Sequence, residues 1–174
     1  KKAILKNLSL REKSPYVEFL AKQDIKKIEN SLNSSGYYFN KVDVSIKNNN
    51  NETIDLIYDI NLGKKALIKN IIFTGDRYYK DKKLKNVIVS EESKFWKFIS
   101  NKKYLNPNQI DLDLRLLEKF YLNKGFYNVQ ITNSSAIFND NHFNLIYNID
   151  SGNIYTIRNT KLILPDDFDE KDFN

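Results

Sequence analysis

Asp113-Leu114-Arg115-Leu116-Leu117-Glu118-Lys119-Phe120-Tyr121-Leu122-Asn123-Lys124-Gly125-Phe126-Tyr127 is the stretch on which the fold turns. Ile110, Leu114, Leu117 and Tyr121 recur at spacings of four, three and four, which marks one face of a helix. Upstream, Asn106-Pro107 supplies an N-cap followed by proline at the first helical position, and Gly125 suits the left-handed C′ position that ends the helix. Shifted back by 89 residues the pattern reappears, with Asp24, Ile25, Ile28, Leu32 and Gly36-Tyr37-Tyr38 falling on Asp113, Leu114, Leu117, Tyr121 and Gly125-Phe126-Tyr127. The same shift carries Leu56-Ile57-Tyr58-Asp59-Ile60 onto Leu145-Ile146-Tyr147-Asn148-Ile149, and Gly63 onto Gly152. Ile68 and Phe73 likewise fall on Ile157 and Leu162. Agreement at one period over this much sequence makes the chain a tandem array.

One copy, residues 64–152, runs through the full set of elements. Ala66–Thr74 is rich in β-branched and aromatic residues and stops at Gly75-Asp76, so it reads as a strand. Lys80–Val89 carries Leu84, Val87 and Ile88 at helical spacing. The capped helix follows, and then two strands. Phe126–Phe138 alternates at first through Val129 and Ile131, then loses the alternation at Asn133-Ser134-Ser135, which predicts a bulge or register change there. Phe143, Leu145, Tyr147 and Ile149 share one face of the last strand, which His142 opens beside the turn Asn139-Asp140-Asn141, a position that predicts an exposed histidine. The earlier copy predicts a first helix over Lys1–Leu8, a second over Asp24–Ser34, and strands Tyr37–Ile46 and Ile54–Ile60 joined at Asn48–Asn51. Each unit is therefore α+β, in the order β-α-α-β-β, with a three-stranded mixed sheet covered by two helices. The expected division is 1–62, a unit without its first strand; 63–151, a complete unit; and 152–174, the start of another. The stretch reads as a fragment of a longer protein.

Composition narrows the function. There is no Cys and a single His, so disulfides, thiol nucleophiles, Cys-based zinc sites and His-based triads find no residues here. No apolar run approaches the roughly 20 residues of a spanning helix. The net charge of +6 divides as +2 over residues 1–63, +6 over 64–152 and −2 over 153–174. Even in the basic stretch the cations are dispersed, and Lys80-Asp81-Lys82-Lys83-Leu84-Lys85 suits a solvated helix side. Asp113 sits within the capped helix and reads as a local structural group. Asp166-Asp167-Phe168-Asp169-Glu170 lacks the spacing and glycine of a calcium loop, and reads as the start of a further helix. No catalytic residue, metal or cofactor is expected.

The order of elements, with Asp-x3-Leu-x3-Tyr-x3-Gly-Phe-Tyr at 113–127 and Ile-x2-Ile-x-Phe-x-Gly at 68–75, resembles the POTRA (polypeptide-transport-associated) domain. The resemblance covers nearly the whole chain and departs from the pattern at Pro165, near where a strand-ending glycine would stand in the third copy. Phe95-Trp96-Lys97-Phe98-Ile99, between the two helices, looks like the insertion in the third POTRA unit of outer-membrane β-barrel assembly factors. On that reading residues 1–62, 63–151 and 152–174 resemble the second, third and start of the fourth unit. Related transporters share the module.

The resemblance implies a scaffold on the periplasmic side of the bacterial outer membrane. Its partners would be unfolded outer-membrane β-barrel precursors, accessory lipoproteins at the 129–138 edge, and the adjoining C-terminal β-barrel of the parent protein. It also implies the strand order first-third-second, with the second strand at an edge: Val129–Phe138 in the complete unit and Val42–Ile46 in the first. An edge strand offers backbone N–H and C=O groups to another extended chain. The expected contact residues are Val129, Gln130, Ile131, Thr132, Asn133, Ser135 and Ile137, with Leu84 and Ile88 of the first helix as an apolar wall. For the aromatic insertion the expectation is packing on its own unit's core, with contact to the next unit or to a membrane surface as the other readings. A basic nucleic-acid-binding module is the competing class, with Tyr37, Tyr38, Phe126 and Tyr127 as stacking candidates. Their place just after a helix-ending glycine favours packing, and no nucleic acid is expected as a partner.

Overall fold

The structure is a computed structural model that describes residues 5–49, 51–96, 99–139 and 141–163. Helix α1 (Glu18–Ser34) leads into the antiparallel hairpin β1 (Lys41–Asn48) and β2 (Ile54–Asn61). Strand β3 (Leu67–Thr74), the short helix α2 (Asp81–Lys85), a 3-10 turn at Asn101–Lys103, helix α3 (Pro107–Leu122) and the hairpin β4 (Gln130–Asn139) and β5 (His142–Asp150) follow. In the second sheet β3 and β5 are parallel, β4 and β5 are antiparallel, and the order is β3-β5-β4. The α+β class and the repeated unit read from the sequence are thus realised.

The helix ends show why the glycines repeat. Phe126 N–H bonds the Tyr121 carbonyl and Gly125 N–H bonds that of Leu122, with Gly125 at φ +88°. Tyr37 N–H bonds Leu32 and Gly36 N–H bonds Asn33, with Gly36 at φ +87°. Both are Schellman endings, which need a residue in the left-handed region. At the other end of α3, Asn106 Oδ1 accepts the Asn108 N–H at 3.0 Å and Pro107 takes the first helical position, as expected. The same Asn106 donates its Nδ2 to the Ser34 carbonyl at 2.7 Å, tying the cap of α3 to the end of α1.

The glycines also join one unit to the next. Ala66 N–H donates to the Gly36 carbonyl at 3.0 Å, and Tyr155 N–H donates to the Gly125 carbonyl at 2.8 Å. Those donors are again 89 residues apart. Beyond that second contact, residues 151–163 carry no strand, because a strand requires a neighbouring ladder. Pro165 and the acidic run 166–170 lie outside the described residues, as does the first half of the helix expected over Lys1–Leu8.

Three expectations are corrected. The helix begun in the sequence at Asp24 starts at Glu18, with Ala21 extending the buried face of Asp24, Ile28 and Leu32 by one turn and Glu18 paired with Lys22 at 2.6 Å. The helix expected over Lys80–Val89 stops at Lys85, where the β-branched run Val87-Ile88-Val89 begins. The bulge expected at Asn133–Ser135 is absent, since β4 pairs without a break from Gln130↔Asp150 to Ile137↔Phe143 and the irregularity falls between Ile137 and Asn139. A second irregularity in β3 skips Lys69, which explains how Ile68, Ile71 and Phe73 are all buried at spacings of three and two.

The main core gathers Ile68, Ile71, Phe73, Leu84, Leu105, Leu117, Tyr121, Phe126 and the four alternating residues of β5. Tyr79, Phe120, Tyr121 and Phe126 add a set of edge-on aromatic contacts. A smaller core of Leu8, Ile28, Leu32 and Val42 serves the first unit.

Candidate functional site

A sheet of order β3-β5-β4 has two outer edges, and they are treated differently. Along β3, Ser93 N–H donates to the Ile68 carbonyl at 2.7 Å, Leu105 N–H donates to Ala66 at 2.9 Å, and Tyr104 forms an antiparallel bridge with Leu67. The Ile71 N–H is taken by Glu92 Oε1 at 3.0 Å, and Lys85 binds the same oxygen. Burial pushes the Glu92 carboxyl up, but Lys85 and the Ile71 N–H outweigh it and hold the group below the usual carboxylate range. The β3 edge is closed by the residues between the two helices.

Strand β4 is open. Among the described residues it pairs with β5 alone, leaving its other row of N–H and C=O groups facing outward. Val129, just before the strand, and Ile131 are half-buried against the core, whereas Gln130, Thr132, Asn133 and Ser134 are exposed. Ser135 and Ile137 occupy strand positions opposite Leu145 and Phe143.

Leu84 is misplaced in the sequence-based site. It is fully buried in the main core, and α2 lies on β3, while α3 is the helix that packs on β4. Leu84 therefore offers no surface to a chain at the β4 edge; Ile88 is half-buried against the same core.

Asp113 has the structural role its position predicts, with detail that the sequence did not disclose. It is wholly buried and accepts the Val89 N–H at 2.6 Å, the Ser90 N–H at 3.2 Å and the Tyr147 hydroxyl at 2.6 Å. Burial first, and the adjacent Asp113 charge second, raise the Tyr147 hydroxyl above the ordinary tyrosine value. Asp24 repeats the arrangement on Ser9 N–H, Leu10 N–H and Lys27 Nζ. Burial pushes that carboxyl up, but these donors pull it further down, to a net lowering. Its tyrosine, Tyr58, lies near Asp24 without reaching hydrogen-bond geometry, and burial and the Asp24 charge push its hydroxyl up to about 12. The signal was in the repeat, which maps Asp24 on Asp113 and Tyr58 on Tyr147.

Two other readings change. Phe95 is 89% exposed, Trp96 59% and Ile99 83%, so the insertion does not pack on its own core; Lys97 and Phe98 lie outside the described residues. His142 is half-buried instead of exposed. Of the stacking candidates, Phe126 is buried and Tyr37 half-buried, which leaves only Tyr38 and Tyr127 facing solvent. Among the described residues no cluster of His, Asp and Glu is arranged to hold a metal, and no helix is long and apolar enough to cross a membrane.

The POTRA family profile, described as surface antigen variable number repeat, matches residues 1–63 and again 66–152. The outer membrane protein assembly factor BamA of Neorickettsia risticii is 25% identical over 150 residues, which cover 80% of this chain and 20% of that protein. BamA of Buchnera aphidicola is 29% identical over 126 residues, covering 72% and 18% respectively. The chain thus spans about a fifth of the length of these curated relatives. Among solved structures, POTRA 3–5 of Haemophilus influenzae BamA superposes with a TM-score of 0.51 at 15% identity, over 84% of this chain and 54% of that one. Haemophilus ducreyi BamA lacking POTRA domains 1–3 gives 0.55 at 21% identity, over 83% and 26%.

Proposed function

This chain belongs to the POTRA family, and we propose on that premise that it is a docking region of an outer-membrane β-barrel assembly factor of BamA type. Residues 1–62, 63–151 and 152–174 would be its second, third and beginning fourth units, on the periplasmic side of the outer membrane and continued by a C-terminal β-barrel. It works by binding, with no catalytic residue, metal or cofactor. The observation that carries the reading is the contrast between the closed β3 edge and the open β4 edge.

An extended segment laid along β4 gains main-chain hydrogen bonds, while the neighbouring side chains add modest selectivity. That suits unfolded barrel precursors of many sequences. A BamB-like lipoprotein is the second partner of the same edge, from 129 to 138. The residues that meet the incoming chain are Gln130, Thr132 and Asn133, with Val129 and Ile131 supporting from the core side and Ser135 and Ile137 extending the ladder.

The test is an NMR titration of this chain with a peptide copying one strand of an outer-membrane barrel. Amide shifts concentrated on residues 130–139 are expected. Ile131→Pro and Thr132→Pro form the control pair, because successive N–H groups point alternately toward β5 and away from it. The variant that removes the outward N–H keeps its fold and loses peptide binding. Binding that persists in both variants, or shifts that gather on β3 and spare β4, would falsify the edge reading.

A further inference from the structure

On the β3 side of the sheet, across from the open edge, lies a cavity of about 550 Å³ lined by Lys64, Lys65, Lys69, Lys94, Lys103 and His142. Among the described residues no carboxylate lines it. Nearby, Glu92 is engaged by Lys85 and the Ile71 N–H. The cations are held in place by aromatic rings: Lys65 Nζ stands 4.4 Å from the centre of the Tyr104 ring and Lys103 Nζ stands 5.7 Å from it. Phe95 is on the cavity's rim. It meets Trp96 edge-on at 4.5 Å, and Lys94 lies over the Trp96 ring at 5.6 Å.

We propose that this face docks on an anionic phospholipid surface, with the exposed Lys69 and Lys94 and the half-buried Lys65 against lipid phosphates and Phe95, Trp96 and Ile99 entering the headgroup layer. Charge and shape both point there. Clustered lysines complement an anionic surface, and amphipathic aromatic rings settle at the boundary between headgroups and acyl chains. Side chains as exposed as Phe95 and Ile99 stand clear of their own domain, as insertion into a bilayer requires. The proposal is independent of the strand-edge reading, which concerns the other side of the sheet.

Trp96 is the chain's only tryptophan, so its emission reports this site alone. Phosphatidylcholine vesicles containing phosphatidylglycerol should shift the emission to the blue, shield it from acrylamide and carry the protein into the vesicle pellet. Pure phosphatidylcholine vesicles should do little. Lys69→Gln and Lys94→Gln replace exposed side chains and should each weaken binding about fivefold, with the loss vanishing at high salt. Phe95→Ser should weaken binding at every salt concentration. An unshifted Trp96 with anionic vesicles overturns the proposal, as does binding indifferent to these three substitutions in folded protein. The same blue shift with inorganic phosphate alone also overturns it, in favour of a small-anion pocket.

Discussion

Replacing Asp113 by Ala removes an acceptor on which three donors converge. Two of those donors, the Ser90 N–H and the Tyr147 hydroxyl, are in buried residues and find no water when the carboxylate goes. A stranded buried donor costs roughly 1–3 kcal/mol, so the pair costs about 4 kcal/mol before any repacking. The Val89 N–H adds less, since its residue is half-buried and admits solvent. Against the roughly 5–15 kcal/mol that stabilises a domain of this kind, the loss brings the second unit close to unfolding. Tyr147→Phe is the gentler partner. It keeps the ring against Phe73, whose centre lies 5.6 Å away, and leaves Asp113 its two backbone donors. It should cost about 2 kcal/mol, the value of one hydrogen bond to a charged acceptor.

Urea unfolding of wild type, both single variants and the double variant gives the coupling between the two groups directly. A coupling of about 1.5 kcal/mol or more is expected for groups in contact at 2.6 Å. Asp24→Ala in the first unit should cost less than Asp113→Ala, because its donors are partly exposed and Tyr58 makes no hydrogen bond. A loss below about 1 kcal/mol for Asp113→Ala, or additivity with Tyr147→Phe, would refute the tie as the reason this aspartate recurs.

Three further outcomes follow from the same geometry. Gly36→Ala places a methyl carbon 2.8 Å from Tyr104 Cβ at φ +87°, so it should cost more than about 1 kcal/mol and alter the residual dipolar couplings between the two units. Asn106→Asp retains the cap of α3 but loses the donor to Ser34, whereas Asn106→Ala loses both; comparable melting of Asp and wild type with altered inter-unit couplings would separate the two roles. The folded Asp24 carboxyl lies below its ordinary 3.8, so its contribution is complete above the unfolded value and drains away as pH falls through the folded one. Melting of wild type should therefore drop below about pH 4, and the drop should be shallower in Asp24→Asn.

How much of this was legible in the chain depended on whether each feature is local or imposed by its surroundings. The helix endings were legible because a left-handed residue demands glycine, and a demand on one residue repeats with the unit. Ile68, Ile71 and Phe73 announced a strand, but their uneven spacing became intelligible only with the skipped Lys69, which pairing with β5 creates. Asn133-Ser134-Ser135 misled for the opposite reason: polar residues continue a regularly paired strand as readily as they mark a break in one. The short α2 was overread because Val87 and Ile88 are apolar for the sake of the core, and Asp113, 24 residues away from Val89, takes the Val89 and Ser90 N–H groups that a longer helix would use internally. The exposed Phe95 and Trp96 were unreadable in principle, since an aromatic pair in an insertion looks the same whether it packs inward or stands out.

The two units do not present equivalent edges, and the difference gives a last expectation. Strand β1 carries Lys41, Asp43 and Lys47 in eight residues, with Lys41 and Asp43 paired at 3.1 Å. Charged side chains, lysine above all, are how natural proteins discourage a neighbouring strand from adding to an exposed edge. Strand β4 has ten residues, Gln130–Asn139, and not one charge. Its protection against self-association is milder, resting on the polar Thr132, Asn133 and Ser134, which lower the apolar gain of pairing and leave the backbone available. If the edges dock extended chains as proposed, that of the second unit is the receptive one and that of the first is guarded. Thr132→Lys, at an exposed position opposite the exposed Asn148, should transfer the guard from β1 to β4 without disturbing the fold. Peptide binding at β4 should fall sharply while the chain's melting temperature stays near that of wild type. Undiminished binding would mean that charge on the edge is not what distinguishes the two units.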